Sequence, residues 1–414
     1  MTPEGPHAPL ARPPRTGDAV DPAALRVLWV TETYPPSRGG MAQSCDRIVR
    51  GLRGAGATVD VLQLVPAVRP GQEAFRFVAR SGGRDLVCPI EEDPAHALNR
   101  AWNALERDPR RHELTHVVAF GGIRPLTAAP VLAAWLGVPL VTLLRGNDFD
   151  TGVFSARRRP ILDDALRRSA LVATVSRDKA WRVAALHPDV PVRWIPNGID
   201  LADWTFAPSD HARAAAWRAE HVAPGRRVIG LVGQLKPKKG GLLLLDALRR
   251  SGRHDEVHLV LAGELDAAMG DWLATHGADL AVTTLPFLDR FELLPWYAAC
   301  DWVAIPSFYD GLPNVLIEAA ALGVPMIAAD VAGMADVLVD GESAVLFPPG
   351  DEDACAAALR RALDLDPAPL GAAARRLAVG ELDARTETRR YLEALAATAA
   401  AGLASGRPGE EQGT

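Results

Sequence analysis

Between residues 25 and 350, short runs of apolar and β-branched residues alternate with longer segments rich in Ala, Leu and Arg. Six such runs, at 26–30, 58–64, 116–120, 140–144, 171–175 and 193–195, read as strands. A second set follows at 228–232, 258–262, 282–285, 302–305, 326–329 and 344–347. These runs are nearly continuous in hydrophobicity rather than alternating, which is what a parallel strand covered on both faces requires. With helical segments between them, the pattern predicts two doubly wound Rossmann-like α/β domains facing each other across a cleft. The turn Pro196-Asn197-Gly198 and the less patterned stretch up to residue 208 mark the break. The division expected is an N-terminal domain over 25–200 and a C-terminal domain over 201–381. A last helical segment, 382–404, is placed to pack back on the first domain. Residues 1–24, rich in Pro, Ala and Arg, read as a flexible leader, and 405–414 as a loose polar tail.

Composition narrows the class without naming the chemistry. In this 414-residue chain, 48% hydrophobic and 23% charged residues exclude a disordered chain, and the net charge of -6 argues against a nucleic-acid partner. Cys45, Cys88, Cys300 and Cys355 are scattered, with no C-x-x-C pair, so neither a disulfide framework nor a zinc site is expected. No apolar run approaches the roughly 18 residues of a membrane span, and the first residues lack the apolar segment of a signal peptide. The expected location is cytoplasmic, with peripheral contact at the inner face of a membrane left open.

The most informative segment runs Pro306-Ser307-Phe308-Tyr309-Asp310-Gly311-Leu312-Pro313-Asn314-Val315-Leu316-Ile317-Glu318-Ala319. It follows a strand and enters a helix, with Pro313 expected in the first turn and Gly323 and Pro325 ending it. Free amides and the positive end of the dipole make such a helix start a diphosphate site. Glu318 lies five residues beyond Pro313, about 7.5 Å along the axis, where a carboxylate can accept from ribose hydroxyls. Asp310, in the loop on the other side, is placed for hydroxyls of a donor sugar. An ordinary solvent-facing glutamate satisfies the same spacing.

A second segment, Gly233-Gln234-Leu235-Lys236-Pro237-Lys238-Lys239-Gly240-Gly241, also joins a strand to an apolar helix. A lysine at that junction offers a point charge for phosphate. The Walker pattern G-x(4)-G-K-[ST] is absent, and three lysines in a solvated turn are the plainer alternative.

Together these segments resemble family-4 retaining glycosyltransferases (glycosyl transferases group 1), whose fold is GT-B. That family carries G-R-L-x(3)-K-G and then P-S-x(2)-E-G-x-P-x(4)-E-A-x(3)-G-x-P. This chain has Gly233-Gln234-Leu235, Lys239-Gly240, Pro306-Ser307, Asp310-Gly311, Pro313, Glu318-Ala319, Gly323 and Pro325 at those spacings. The resemblance is dense over 228–350 and thinner before Asn197. It implies that Lys239 binds the donor diphosphate, that Glu318 binds ribose, and that Asp310 lies beside the donor sugar with the amides of Gly311 and Leu312. Gln234 stands where an arginine is usual, and Asp310 where a glutamate is.

In the N-terminal half, Thr31-Glu32-Thr33-Tyr34-Pro35-Pro36-Ser37-Arg38-Gly39-Gly40-Met41 resembles the first βα loop of the family, where a Gly-Gly pair lets backbone amides approach phosphate or acceptor. Leu144-Arg145-Gly146-Asn147-Asp148 resembles its H-G-x-D, with Arg145 in place of histidine, and Asn197-Gly198-Ile199-Asp200 its N-G-V-D at the hinge. The expected catalytic set is Lys239, Asp310, Arg145 and Asp148. The expected donor-binding set is Gly39, Gly40, Gln234, Lys239, Asp310, Gly311, Leu312, Asn314 and Glu318. Asp148-Phe149-Asp150 mimics a metal-binding D-x-D, but with Lys239 and a helix N-terminus to neutralise phosphate no metal is expected, and no cofactor beyond the nucleotide-sugar co-substrate. Arg157-Arg158-Arg159 and Arg167-Arg168 read as solvated basic faces, an anionic acceptor or membrane surface being the alternative.

The resemblance implies retention of anomeric configuration, a UDP-sugar as donor with GDP behind it, and an acceptor pocket in the N-terminal domain, expected near 68–103. The acceptor itself (lipid-linked, polysaccharide or small metabolite) is not legible. The three departures Gln234, Asp310 and Arg145 also fit a second reading, a catalytically weakened nucleotide-sugar-binding partner or regulator.

Overall fold

The computed structural model describes residues 21–404 apart from 38, 69–72, 91–92 and 147, so most of the leader and the whole tail lie outside the described residues. Residues Pro22–Ala24, read as part of the leader, form one 3-10 turn capped by Asp21. The N-terminal sheet comprises β1 (Arg26–Thr31), β2 (Thr58–Val65), β3 (Phe77–Arg80), β4 (Gly83–Pro89), β5 (His116–Phe120), β6 (Leu140–Leu144), β7 (Ser169–Thr174) and β8 (Val192–Trp194). The C-terminal sheet comprises β9 (Arg227–Val232), β10 (Val257–Ala262), β11 (Ala281–Leu285), β12 (Trp302–Ile305), β13 (Met326–Ala329) and β14 (Ala344–Phe347).

The strand orders are β3-β4-β2-β1-β5-β6-β7-β8 and β11-β10-β9-β12-β13-β14. Among the described residues, only the β3–β4 pairing is antiparallel. In each sheet the chain winds outward from one central strand, returns, and winds the other way. The reversals fall between β1 and β5 and between β9 and β12, and the crevice beyond the carboxyl ends at such a point is where doubly wound sheets bind ligands. Along β1, Leu28 and Val30 join the core on one face of the sheet while Val27 and Trp29 join the core on the other. That two-sided burial is why the strands read as unbroken apolar runs.

The pair β3–β4 was not predicted. Its strands carry polar residues such as Arg80, Arg84 and Asp85 and sit at the sheet edge, where one flank needs no apolar cover. Pro313 also differs from expectation: it is the N-cap, with extended backbone, and the helix runs Asn314–Leu322. A proline without an N–H is equally tolerated there.

The chain crosses between the domains twice. Ile199 and Asp383 form an isolated parallel bridge. The final helix, Ala384–Ala404, then lies against helix Gly40–Gly54, with Tyr391, Ala394 and Leu395 completing an N-terminal core. Buried His116 fastens it from below, its Nε2 lying 2.9 Å from the Leu395 carbonyl. None of the described helices is long and apolar enough to cross a membrane.

Candidate active site

Both loops singled out in the C-terminal half leave the reversal point of their sheet, one after β9 and one after β12. The first closes on the second because Gly240 adopts φ +71°; a β-carbon there would lie 2.0 Å from the Pro306 carbonyl oxygen. The amide of Phe308 then donates 3.0 Å to the Lys238 carbonyl. This seam brings the Lys239 ammonium onto the Asp310 carboxylate as an ion pair, while the second Asp310 oxygen accepts from the Gly311 amide at 2.9 Å. Burial lowers the pKa of Lys238; Asp310 opposes the shift, and Lys239, Lys236 and Lys179 reinforce it. Four ammonium groups thus share one neighbourhood, three from the C-terminal domain and one, Lys179, from the N-terminal domain.

Two helix starts face each other here. Helix Asn314–Leu322 and helix Gly40–Gly54 both begin without a side-chain cap. Asn314 Nδ2 donates 3.3 Å to Gln43 Oε1, and a β-carbon on Gly40 would lie 3.0 Å from the same nitrogen. Gly39, at φ +107°, has nothing within 4 Å of where a β-carbon would stand, so the backbone is open to the cleft. Two uncapped N-termini contribute free amides and roughly half a positive charge each. With the lysines, the cleft is built for an anion.

Glu318 is buried one turn into its helix. Its Oε2 accepts from the hydroxyl of fully buried Tyr297 at 2.7 Å. Burial pushes the carboxyl up to about 7, the Tyr297 hydrogen bond opposing. It is not the solvent-facing glutamate that its spacing also allowed. Gln234 is exposed at the rim, and the backbone between Asp310 and Pro313 reaches the other domain: Asn197 Nδ2 donates 2.8 Å to the Leu312 carbonyl.

Arg145 does not present its charge to the cleft, and Asp148, which lines a cavity beyond β1 and β5, is engaged by backbone amides. The Arg145 side chain is 1% exposed and bonds Tyr391 Oη (2.5 Å), Ser44 Oγ (2.8 Å), Glu387 Oε1 (3.1 Å) and Asn197 Oδ1. A guanidinium reaches further than the imidazole expected at that place, and four buried acceptors hold it inward. The expectation that it meets a sugar or phosphate is corrected to a buried tie between loop, hinge and final helix. Asp148 accepts from the amides of Gly122 (3.0 Å), Arg145 and Gly146 (3.2 Å each). It shapes the turn rather than offering a free carboxylate, and Asp150 pairs with Lys179 at 3.0 Å. Asn147 lies outside the described residues.

In the N-terminal domain a cavity of about 150 Å³ opens beyond β1 and β5, lined by Glu32, Gly122, Ile123, Leu126, Arg158 and Leu162 among others. Burial raises the pKa of Glu32, and Arg124 opposes that shift. The cavity is in the domain expected to hold the acceptor but away from 68–103, whose strands β3 and β4 lie on the far edge of the sheet. Glu32, Lys179, Arg158 and Asn197 were not singled out as site residues. Glu32 and Asn197 stand inside segments that were otherwise noticed, and Arg158 belongs to the basic run 157–159, read as a solvated face with an anionic acceptor or membrane surface as the alternative.

The family profile described as Glycosyltransferase Family 4 matches residues 38–203, and that described as Glycosyl transferases group 1 matches 226–365. The chain is similar to the glycogen synthase of Mycobacterium tuberculosis, 28% identical over 381 residues that cover 83% of this chain and 87% of that one. It is similar to the D-inositol 3-phosphate glycosyltransferase of Mycolicibacterium gilvum, 35% identical over 245 residues, covering 56% of this chain and 52% of that one. Among solved structures, Anabaena HepE in complex with UDP and glucose superposes with a TM-score of 0.70 at 20% identity, covering 90% of this chain and 100% of that one.

Proposed function

The chain belongs to the family-4, group 1 glycosyltransferases of GT-B fold and transfers sugar from a nucleotide-sugar donor, and from that premise we propose a UDP-sugar as donor and retention of configuration at the transferred carbon. The observation that carries this reading is the Lys239–Asp310 pair between two facing, uncapped helix starts. A bound diphosphate takes over Lys239, with the amides at Gly311, Leu312 and Asn314 and those at Gly39 and Gly40 completing its cradle. Asp310 is then released to the hydroxyls of the donor sugar. Glu318, held by Tyr297, accepts from ribose. Gln234 leaves one phosphate charge unmatched compared with an arginine, and Lys236 or Lys238, from the same loop, supplies it.

Among the described residues no carboxylate is placed as a covalent nucleophile, so retention is assigned to front-face displacement. The acceptor hydroxyl attacks the anomeric carbon as its bond to the diphosphate breaks, and the departing phosphate oxygen takes the hydroxyl proton. Lys239 and the helix amides stabilise the negative charge that develops on the leaving group, while closure of the domains orients the reactants. These groups neutralise the diphosphate without a metal ion.

Nucleoside diphosphate release from the purified protein, measured against UDP-, GDP- and ADP-sugars, tests the reading. Release with UDP-sugars that disappears in Lys239→Ala is the expected result. Tight UDP-sugar binding without release, across a broad set of acceptors, would instead favour a binding or regulatory protein that has lost turnover.

A further inference from the structure

The cavity between Glu32 and Arg158 has a character of its own, separate from the donor cradle. Its volume of about 150 Å³ is below the 300–1,000 Å³ of sites for drug-sized ligands, and it suits a single ring with one substituent. One wall is apolar, formed by Ile123, Leu126 and Leu162. The floor carries carboxylates. Gly122, at φ +74°, lets Glu32 lie against the turn; a β-carbon there would be 2.1 Å from Glu32 Oε1.

The charges in this cavity are unevenly matched. Asp148 is satisfied by three backbone amides. Glu32 accepts from the Arg124 backbone amide, and its ion pair with the Arg124 guanidinium is loose, at 3.9 Å. The Arg158 guanidinium makes no ion pair or side-chain hydrogen bond among the described residues, and exposed Arg157 adjoins it. Glu32 is set against Arg124 and Asp148 against its three amides, which leaves the Arg158 guanidinium without a side-chain partner among the described residues. An apolar wall opposite hydroxyl acceptors matches the two faces of a polyhydroxylated ring, and a free guanidinium matches a phosphate in fork geometry.

The cavity also abuts the donor side. A β-carbon on Gly121 would lie 2.7 Å from Met41 Cε, and Met41 follows Gly40, the residue that faces Asn314. We propose that this cavity is the acceptor site and that it takes a small polyhydroxylated ring bearing one anionic group, a phosphate monoester or diester. The ring hydroxyls are held by Glu32 and the anion by Arg158, with Arg124 beside it. This inference rests on the transferase reading. The acceptor oxygen gains the bond to the anomeric carbon, its proton goes to the departing diphosphate, and the anionic group passes through unchanged.

The experiment measures acceptor-side binding in the presence of saturating UDP, by calorimetry, for wild type, Arg158→Ala and Glu32→Gln. The probes are glucose against glucose 6-phosphate, myo-inositol against its monophosphate, and phosphatidylcholine vesicles with and without phosphatidylinositol. The expected result is at least tenfold preference for a phosphorylated member over its neutral partner, in solution or on vesicles. That preference should collapse in Arg158→Ala, whereas Glu32→Gln should weaken binding of the ring and keep the preference. UDP affinity should be the same in all three proteins, which also certifies folding. A preference seen only on vesicles identifies the ring as a lipid headgroup. Equal binding of neutral and phosphorylated probes, a preference that survives Arg158→Ala, or UDP binding with no acceptor-side binding would each overturn the inference while leaving the donor reading intact. Failure of wild type to bind UDP would overturn the donor reading itself.

Discussion

Lys239 and Asp310 stand 71 positions apart in the chain, and their side chains meet as an ion pair where β9 and β12 diverge.

Because both side chains are partly exposed, the pair adds little to folding, about 1 kcal/mol or less. Lys239→Ala is therefore expected to unfold within about 1 kcal/mol of wild type and yet lose about 10²–10³-fold in kcat, the effect of removing one donor to a developing oxyanion. Urea unfolding and diphosphate release measured on the same preparation separate the two quantities. A variant with near-normal turnover would remove the lysine from the mechanism.

Glu318 couples stability to pH in the opposite sense from a surface carboxylate. Its folded pKa is raised to about 7 by burial, so the folded state holds the proton more tightly than the unfolded chain. The stabilising contribution is complete below about 4.5 and is lost as pH rises through 7. Glu318→Gln keeps an acceptor for the Tyr297 hydroxyl and removes the ionisation. At pH 4 it should match wild type in thermal unfolding, and at pH 8 it should be the more stable protein. It should also bind UDP at least tenfold more weakly if the carboxylate holds ribose. A melting profile that is parallel for the two proteins from pH 4 to pH 8 would contradict the assignment.

The architecture was legible because two-sided burial writes itself into sequence as continuous apolar strands, and both domains follow from that one rule. The edge pair β3–β4 escaped it, since Arg84 and Asp85 answer to ion pairs with Asp60, Asp108 and Arg53 rather than to a buried face. In the site, Lys239, Asp310 and Glu318 stood out through the resemblance of their two loops to the family's motifs, because spacing alone left a solvated lysine turn and a solvent-facing glutamate open. Arg145 could not: a loop arginine beside a glycine reads as a free charge, and only tertiary structure brings Glu387, from 242 positions away, against it. Lys179 shares that opacity, an ordinary helix cation until the fold places it at a cleft, whereas Arg158 stood in a basic run for which an anionic acceptor was the alternative reading.

Arg145 and Glu387 form a buried pair, with Arg47 as a third member through a 2.7 Å contact to Glu387. Arg145→Ala leaves the hinge Asn197, Ser44 and Glu387 without their shared donor and should cost about 3–5 kcal/mol. Arg145→His, which installs the more usual side chain, should also destabilise, because an imidazole cannot span four acceptors. Burial alone would raise the Glu387 pKa, but Arg47 and Arg145 outweigh it and hold it below the ordinary value. This contribution is present above the unfolded pKa and is lost as pH falls through the folded one. Hydrogen exchange should accordingly show helix Ala384–Ala404 opening first on acidification. Uniform loss of protection across both domains would argue against a local tie.

The donor loop is also supported from behind, by contact between two backbones. Gly333, at the start of the short helix Ala332–Ala335, lies so close that a β-carbon on it would stand 1.9 Å from the Gly311 carbonyl oxygen. No rotamer relieves that approach, so Gly333→Ala must displace either its own turn or the segment from Asp310 to Leu312. The second segment is the softer: it is irregular, whereas Met334 beside Gly333 is fully buried in the C-terminal core. The expected outcome is a modest stability loss of about 1–3 kcal/mol, the range for overpacking, with a much larger loss in nucleotide affinity as the Gly311 and Leu312 amides leave their places. Gly341→Ala serves as control: it has φ +75° but no atom within 4 Å of the added carbon, so it strains the backbone without touching the loop. Calorimetric titration with UDP discriminates between the two substitutions. Equal weakening in both would assign the effect to general destabilisation, and weakening confined to Gly333→Ala would assign it to the buttress behind the site.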